Sequence, residues 1–237
     1  MATFVLVPGS CAGAWAWTRV TRLLREKGHT VYEQTLTGMG DRSHLASPKI
    51  NLSTHIADVA NTILFAGEKV VLVCHSYAGF VGTGVADRNP ESLARLVYLD
   101  ANIPKASNSS LWGDFSEKDR RESKESVRTK GNGWSFPVME EVGPPGFDIS
   151  RRDMKMMMEL GRPQSVRTYS ERLRLTGRYR AVPRSFIKCD WGGNPFDPES
   201  LRKQGMDVTT VKSGHWPMLS CPGILATVLD RLANEPR

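Results

Sequence analysis

The segment Val70-Val71-Leu72-Val73-Cys74-His75-Ser76-Tyr77-Ala78-Gly79-Phe80 holds a serine placed to act as a nucleophile. An apolar, β-branched run stops at Ser76, and a helix-like stretch, Phe80 to Asp87, follows. A strand that turns sharply into a helix lifts the serine Oγ above the edge of a sheet, the layout of a nucleophile elbow. So tight a turn needs small residues two before and two after the serine. Glycine usually fills both positions; here they are Cys74 and Ala78, with Gly79 giving further room. The competing reading is an ordinary serine N-cap at a strand–helix junction, so the partners must decide.

Acyl transfer by serine needs a base to take the hydroxyl proton, an acid to orient that base, and amides that face the developing oxyanion. Of five histidines, His215 follows the last predicted strand in Lys212-Ser213-Gly214-His215-Trp216-Pro217 and comes after the serine in chain order. His75 adjoins the nucleophile but points elsewhere on an elbow, and His29, His44 and His55 precede it. The oxyanion donors are expected to be the amides of Tyr77, next after the serine, and Ser10, in the loop Pro8-Gly9-Ser10-Cys11 after the first strand. For the acid, Asp190 stands at the end of the strand Ser185 to Cys189 and is the expected choice. Asp197 precedes Pro198 and reads as a helix cap, and Asp100, after an earlier strand, is a third candidate.

The elements that must position these groups alternate. Strands are expected at Phe4–Val7, Thr30–Gln34, Val70–Val73 and Leu93–Leu99, with helices at Ala14–Glu26, Thr54–Phe65 (capped near Ser53 or Thr54) and Phe80–Asp87. This rhythm predicts an α/β fold, a mostly parallel sheet flanked by helices, with ligands at the carboxyl ends of the strands. Residues 104–182 interrupt it without a clear strand. They hold the charged stretch Asp114–Lys130 and helical stretches near Ser150–Leu160 and Gln164–Leu175. They are expected to form an inserted helical cap on a core made of residues 1–103 and 183–237. Met154, Met156, Met157 and Met158 cluster there, as packing for the cap or as a pliable substrate wall. Strands Ser185–Cys189 and Asp207–Val211 and helices Pro198–Gln204 and Pro222–Ala233 resume the alternation.

Composition narrows the function classes. At 237 residues the chain suits one domain carrying an insertion, and 40% hydrophobic residues suffice for a sizeable core. The formal charge of +7 is spread along the chain and interleaved with acids, as in Glu117-Lys118-Asp119-Arg120-Arg121-Glu122, so no nucleic-acid role is expected. The apolar runs are too short to span a membrane, and the first residues lack a basic leader, so no membrane association and a cytoplasmic location are expected. The four cysteines, Cys11, Cys74, Cys189 and Cys221, form no CxxC pair, so no metal site is expected and the thiols are expected reduced.

Taken together, the chain resembles the α/β-hydrolase superfamily, and within it the plant methylesterase and hydroxynitrile lyase group with its bacterial esterase relatives. The likeness is carried by Val5-Leu6-Val7-Pro8-Gly9 with Gly13-Ala14-Trp15-Ala16-Trp17, by Thr35-Leu36-Thr37-Gly38-Met39-Gly40-Asp41-Arg42, and by Cys74-His75-Ser76-Tyr77-Ala78-Gly79. It extends through Val97-Tyr98-Leu99-Asp100-Ala101 and Gly214-His215-Trp216-Pro217-Met218-Leu219. The resemblance implies a serine esterase without a cofactor. It also exposes a departure, because relatives place the acid about three residues after the cysteine of the strand Phe186-Ile187-Lys188-Cys189, and that position here is Gly192. The lyases of the group carry a lysine after the catalytic histidine; Trp216 stands there, against cyanohydrin cleavage. The expectation is a hydrolase for a carboxylic ester, possibly a methyl ester, of a small or medium apolar compound, in a pocket lined by Cys11, Trp216, Met218 and Met157, in a monomer or homodimer. Two alternatives stand beside it: a lyase, decarboxylase or cyclase using the same pocket, and a small-molecule-binding protein on this scaffold.

Overall fold

A run such as Val70–Val73 is apolar on both sides, as a strand covered on both faces must be. In the computed structural model, which describes residues 1–138, 148–192 and 195–234, these runs form a parallel sheet of six strands in the order β2-β1-β3-β4-β7-β8. The strands are β1 (Thr3–Val7), β2 (Thr30–Glu33), β3 (Val70–His75), β4 (Leu93–Leu99), β7 (Arg184–Cys189) and β8 (Met206–Val211). Alternation along the strands feeds two cores. Val5, Val7, Leu72 and Cys74 face α2 (Leu52–Ala66) and α3 (Ala78–Arg88), while Phe4, Leu6, Val71 and Val73 face α1 (Thr18–Glu26) and α10 (Pro222–Asn234).

The chain leaves β1 toward β2 and then returns to place β3 on the other side of β1. The loops after β1 and β3 therefore open side by side at the point where strand order reverses, where such sheets bind ligands.

Several boundaries differ from expectation for local reasons. Residues Ala14–Trp17 are a 3-10 turn before α1, and α2 starts earlier than expected because Asn51 caps it. The Asn51 side chain accepts from Thr54 N–H (2.9 Å) while Thr54 Oγ1 accepts from Asn51 N–H (3.4 Å), a reciprocal capping box. Between β4 and β7 lie α4 (Leu111–Asp114), α5 (Glu117–Lys130), α6 (Arg151–Leu160) and α7 (Arg167–Ser170). The same stretch contains a short antiparallel pair, β5 (Ser135–Phe136) with β6 (Gln164–Ser165), where no strand was expected. The expected helix Gln164–Leu175 is thereby reduced to one turn, since Gln164 and Ser165 pair with residues almost thirty positions earlier and Leu173 bridges to Ser109. Asp153 of α6 is paired with Arg19 of α1, and Arg19 also reaches Leu219 O (2.8 Å). The last elements are α8 (Pro198–Lys203), capped by the side chain of Asp197 as the sequence implied, and α9 (Pro217–Ser220).

The departure from glycine at the elbow is accommodated by α3. A Cβ on Gly82 would sit 2.4 Å from Cys74 Sγ, so the larger residue before the serine is housed by a bare helix backbone opposite it. A Cβ on Gly79 would lie 2.2 Å from Asn102 O, so this glycine is required where α3 crosses the exit of β4. Gly82→Ala is expected to destabilise the protein by roughly 1–3 kcal/mol through overpacking. In a Cys74→Ala background the cost should fall by about 1 kcal/mol or more, read as coupling in urea unfolding. Equal costs in both backgrounds would refute the pairing.

Candidate active site

Ser76 sits in the left-handed region, φ 54, between β3 and α3. Few non-glycine residues adopt it without support. The support is backbone: Ser76 N–H donates to Leu99 O (3.2 Å) and Ser76 O accepts from Asn102 N–H (3.0 Å). The turn is thus fastened to the end of β4 on both sides of Asp100.

His215, in the loop between β8 and α9, reaches the serine: its Nε2 lies 3.0 Å from Ser76 Oγ. Its Nδ1 lies 2.6 Å from Asp100 Oδ2. A carboxylate only accepts, so Nδ1 carries the proton and Nε2 is left to accept from the serine hydroxyl. The backbone behind the ring is also held. His75 Nε2 lies 2.7 Å from the His215 carbonyl oxygen, so it donates to it. The two imidazoles are 4.7 Å apart, yet burial holds His75 far below the usual histidine range, hence neutral.

The carboxylate bonded to His215 belongs to Asp100 and not to Asp190, which corrects the expected choice of acid. Asp190 follows the buried Cys189 and points to solvent on the alternate face, its N–H closing the ladder onto Val211 O (3.0 Å). Asp197 is spent as the α8 cap, its Oδ2 accepting from Ser200 N–H at 2.7 Å. Asp100 is 3% exposed, with Cys189 N–H donating to Oδ1 (3.2 Å) and Trp191 Nε1–H to Oδ2 (2.7 Å). Burial alone would raise its pKa; the His215 bond, with the Trp191 and Cys189 donors, outweighs that and holds it below the ordinary aspartate value. Trp191 is a site residue that sequence reasoning passed over, as the strand-end tryptophan next to the glycine where an acid was sought.

The two amides expected to face an oxyanion come from neighbouring loops. Tyr77 is the residue before α3, and Ser10 lies in the β1 loop; among the described residues neither N–H has another acceptor. Gly9 lets the loop lie against the elbow, since a Cβ there would be 2.8 Å from His75 Nδ1 and 3.0 Å from Ser76 Cβ. Their side chains are braced through an aromatic pair: Tyr77 stacks on Tyr169 of α7 at 5.3 Å, and Tyr169 OH bonds Ser10 Oγ. Tyr77 OH in turn meets His55 Nδ1 at 2.9 Å, while His55 Nε2 lies 3.1 Å from Thr37 O. The carbonyl can only accept, so His55 donates through Nε2 and accepts through Nδ1 from the tyrosine.

A cavity of about 260 Å³ opens over Ser76 and His215. Cys11 and Trp216 line it from the sheet side, with Trp15; Met154, Met157, Met158 and Phe136 close it from the stretch between β4 and β7. Of the four residues named for a pocket, Cys11, Trp216 and Met157 line this cavity. Met218 does not: it is fully buried in the core against α10 and does not reach the cavity. The described lining contains no lysine, arginine, aspartate or glutamate. All four cysteines are free, and burial pushes the Cys11 thiol up to about 12, so it stays protonated. Among the described residues no cluster of metal-ligating side chains exists, and no helix is long and apolar enough to cross a membrane.

Residues 4–228 match the Alpha/beta hydrolase family. The chain belongs to that family. It is 34% identical over 98% of its length to the whole of a carbendazim hydrolyzing esterase from Nocardioides sp.. It is 37% identical, over 98% of its length and 96% of the other, to Methylesterase 1 of Arabidopsis thaliana. In fold it superimposes on an extracellular alpha/beta-hydrolase from a Paenibacillus species with a TM-score of 0.84 at 21% identity, covering 99% of this chain and 100% of that one. These esterase relatives over the whole length place the chain among the carboxylic ester hydrolases.

Burial lowers the His55 pKa to about 4, against smaller opposing effects of Thr37 O and Asp58. The unfolded chain then binds a proton near pH 6.5 that the folded site refuses, so stability falls as pH drops from about 6.5 toward 4. The His55 share approaches about 1.4 kcal/mol per pH unit in that window. His55→Gln should flatten the pH dependence of urea unfolding between pH 6.5 and 5 by about that slope, and an unchanged slope would show that His55 is not held neutral.

Proposed function

We propose that the chain is a serine esterase acting through an acyl-enzyme on a small, neutral, apolar ester, a methyl ester fitting best. The observation that carries this reading is the continuous chain Ser76 Oγ, His215 Nε2, His215 Nδ1, Asp100 Oδ2, at 3.0 and 2.6 Å, opening into a cavity with no lysine, arginine, aspartate or glutamate among its described lining residues.

His215 Nε2 takes the Ser76 proton as Oγ bonds to the ester carbonyl carbon, and the π electrons move onto the carbonyl oxygen. The Ser10 and Tyr77 N–H groups hold that oxyanion, while Asp100 stabilises the imidazolium without taking its proton. On collapse the C–O bond to the leaving alcohol breaks, and the alkoxide takes the proton from His215. Water then attacks the acyl-enzyme, His215 accepts its proton, and the second collapse returns that proton to Ser76 as the acid departs.

Substrate choice follows the lining. Methionine and aromatic side chains offer burial and no counter-charge, so a carboxylate on the substrate would be desolvated without a partner. The residues over the cavity between β4 and β7 act as the cap in this reading, and a small alcohol such as methanol suits the confined volume. Gly192 leaves no carboxylate at the position relatives use, but the His215–Asp100 bond at 2.6 Å supplies one from another strand, which supports hydrolysis over the non-hydrolytic alternatives.

Asp100→Asn is expected to lower kcat by roughly 10³–10⁴-fold, and Ser76→Ala to abolish fluorophosphonate labelling and p-nitrophenyl ester turnover. Asp190→Asn should leave kcat within about threefold, as an exposed charge away from the site. A larger loss with Asp190→Asn than with Asp100→Asn would reverse the assignment. A neutral aryl methyl ester should exceed its carboxylated analogue by about 10²-fold or more in kcat/KM, the scale set by burying an unpaired charge; near-equal values would sink the substrate class.

A further inference from the structure

We infer that Gln164, on the stretch between β4 and β7, is a positioning residue for the oxyanion loop, fixing the Ser10 amide by holding the backbone of Cys11. The inference rests on the esterase reading and concerns a residue that touches neither nucleophile nor cavity.

Cys11 is a non-glycine residue at φ 59, in the loop that supplies Ser10. Such a conformation persists where surroundings over-determine it. Here they act on both of its peptide groups. Cys11 N–H donates to Gln164 Oε1 at 3.0 Å, and Cys11 O accepts from Arg162 N–H at 3.0 Å. Gly161, just before Arg162, leaves no room for a side chain, since a Cβ there would stand 2.5 Å from Met157 O and 2.8 Å from Val138 Cγ1.

The Gln164 amide is oriented in turn. It is 1% exposed, and its Nε2 donates to Thr168 Oγ1 at 2.9 Å. The Thr168 hydroxyl proton is spent on Ser165 O at 2.7 Å, so Thr168 can only accept from Gln164. The Gln164 carbonyl must therefore face Cys11. With the Cys11 N–H occupied, the loop cannot offer it to an oxyanion. The Ser10–Cys11 peptide is pinned on its far side, which sets the direction of the Ser10 N–H one residue earlier. A donor aimed at charge that appears only in the transition state contributes to kcat rather than to substrate affinity.

The test compares wild type, Gln164→Met, which keeps length without an acceptor, Gln164→Glu, which keeps the acceptor, and Thr168→Val, which leaves Gln164 in place but frees its orientation. Turnover of a p-nitrophenyl ester is measured beside affinity for an aryl boronic acid, which bonds to the serine as a tetrahedral anion. Gln164→Met is expected to lose 10–100-fold in kcat with KM within about threefold, and to lose boronate affinity by a similar factor. Thr168→Val should show a smaller loss of the same kind, and Gln164→Glu should retain more activity than Gln164→Met. If Gln164→Met does not fold, Thr168→Val carries the test by the same two readouts. Wild-type kcat in the folded variants, or a loss confined to KM with boronate affinity intact, overturns the inference while the esterase reading stands. A wild type that neither turns over nor binds the boronate overturns the esterase reading, and this inference with it.

Discussion

Every part of the site is built around one strained backbone position, Ser76 at φ 54. A serine in the left-handed region costs on the order of 1–3 kcal/mol and needs surroundings that leave it no alternative. Those surroundings are close backbone approaches. Gly82 leaves room for Cys74, Gly79 for the Asn102 carbonyl, and Gly9 for the His75 ring and the Ser76 Cβ. The hydrogen bonds that hold the turn run to Leu99 and Asn102, on either side of Asp100. The constraint that holds Ser76 therefore also fixes where the loop carrying Asp100 begins.

The electrostatics of the site follow from what is buried with partners and what is buried without. Asp100 is as buried as many core residues, and burial by itself favours its neutral form. Three donors, from His215, Trp191 and the Cys189 amide, keep it ionised and so keep the proton on His215 Nδ1. His75 is the opposite case. Its Nε2 bond to the His215 carbonyl steadies that backbone, but its buried Nδ1 has no partner among the described residues and the ring stays neutral. A charged His75 at 4.7 Å would oppose any positive charge on His215, so neutrality allows the two rings to pack without that penalty.

The serine, the histidine and the alternating elements were legible because each has a local signature: an apolar run broken at Ser76, a histidine at the end of the last strand, periods of two and of 3.6. The acid had no such signature. Asp100, Asp190 and Asp197 all stand where strands end or helices begin, and which one meets His215 depends on the side toward which each points. Asp190 falls on the outward step after Cys189, whereas Asp100 falls beside the β7 exit, where its N–H reaches Ile187 O at 2.8 Å. Such a register between distant strands is not written in either segment. The same is true of Gln164, whose helical surroundings in sequence hid a strand pairing with Ser135 and Phe136. Met218 failed for a related reason: it neighbours Trp216, but the turn into α9 sends it into the core.

Chemistry and selectivity are thus divided unequally along the chain. Ser76, Asp100, His215 and the amides of Ser10 and Tyr77 all belong to loops at the carboxyl ends of the sheet, on a rigid parallel frame. The methionines and Phe136 that face the cavity belong to the stretch between β4 and β7. A wall of flexible thioethers can be recut by substitution without touching the frame. The contacts at Cys11 and Ser10 limit that freedom, because Gln164, Arg162 and Tyr169 reach from the same stretch into the Ser10–Cys11 loop. Under the proposed esterase reading, changes in the α6 methionines act on which ester enters, whereas changes at the ends of β6 and α7 act on how well the Ser10 loop meets the charge. Under that same esterase reading, the boundary between shaping a substrate and stabilising its transition state runs inside this one stretch, between Met158 and Gly161.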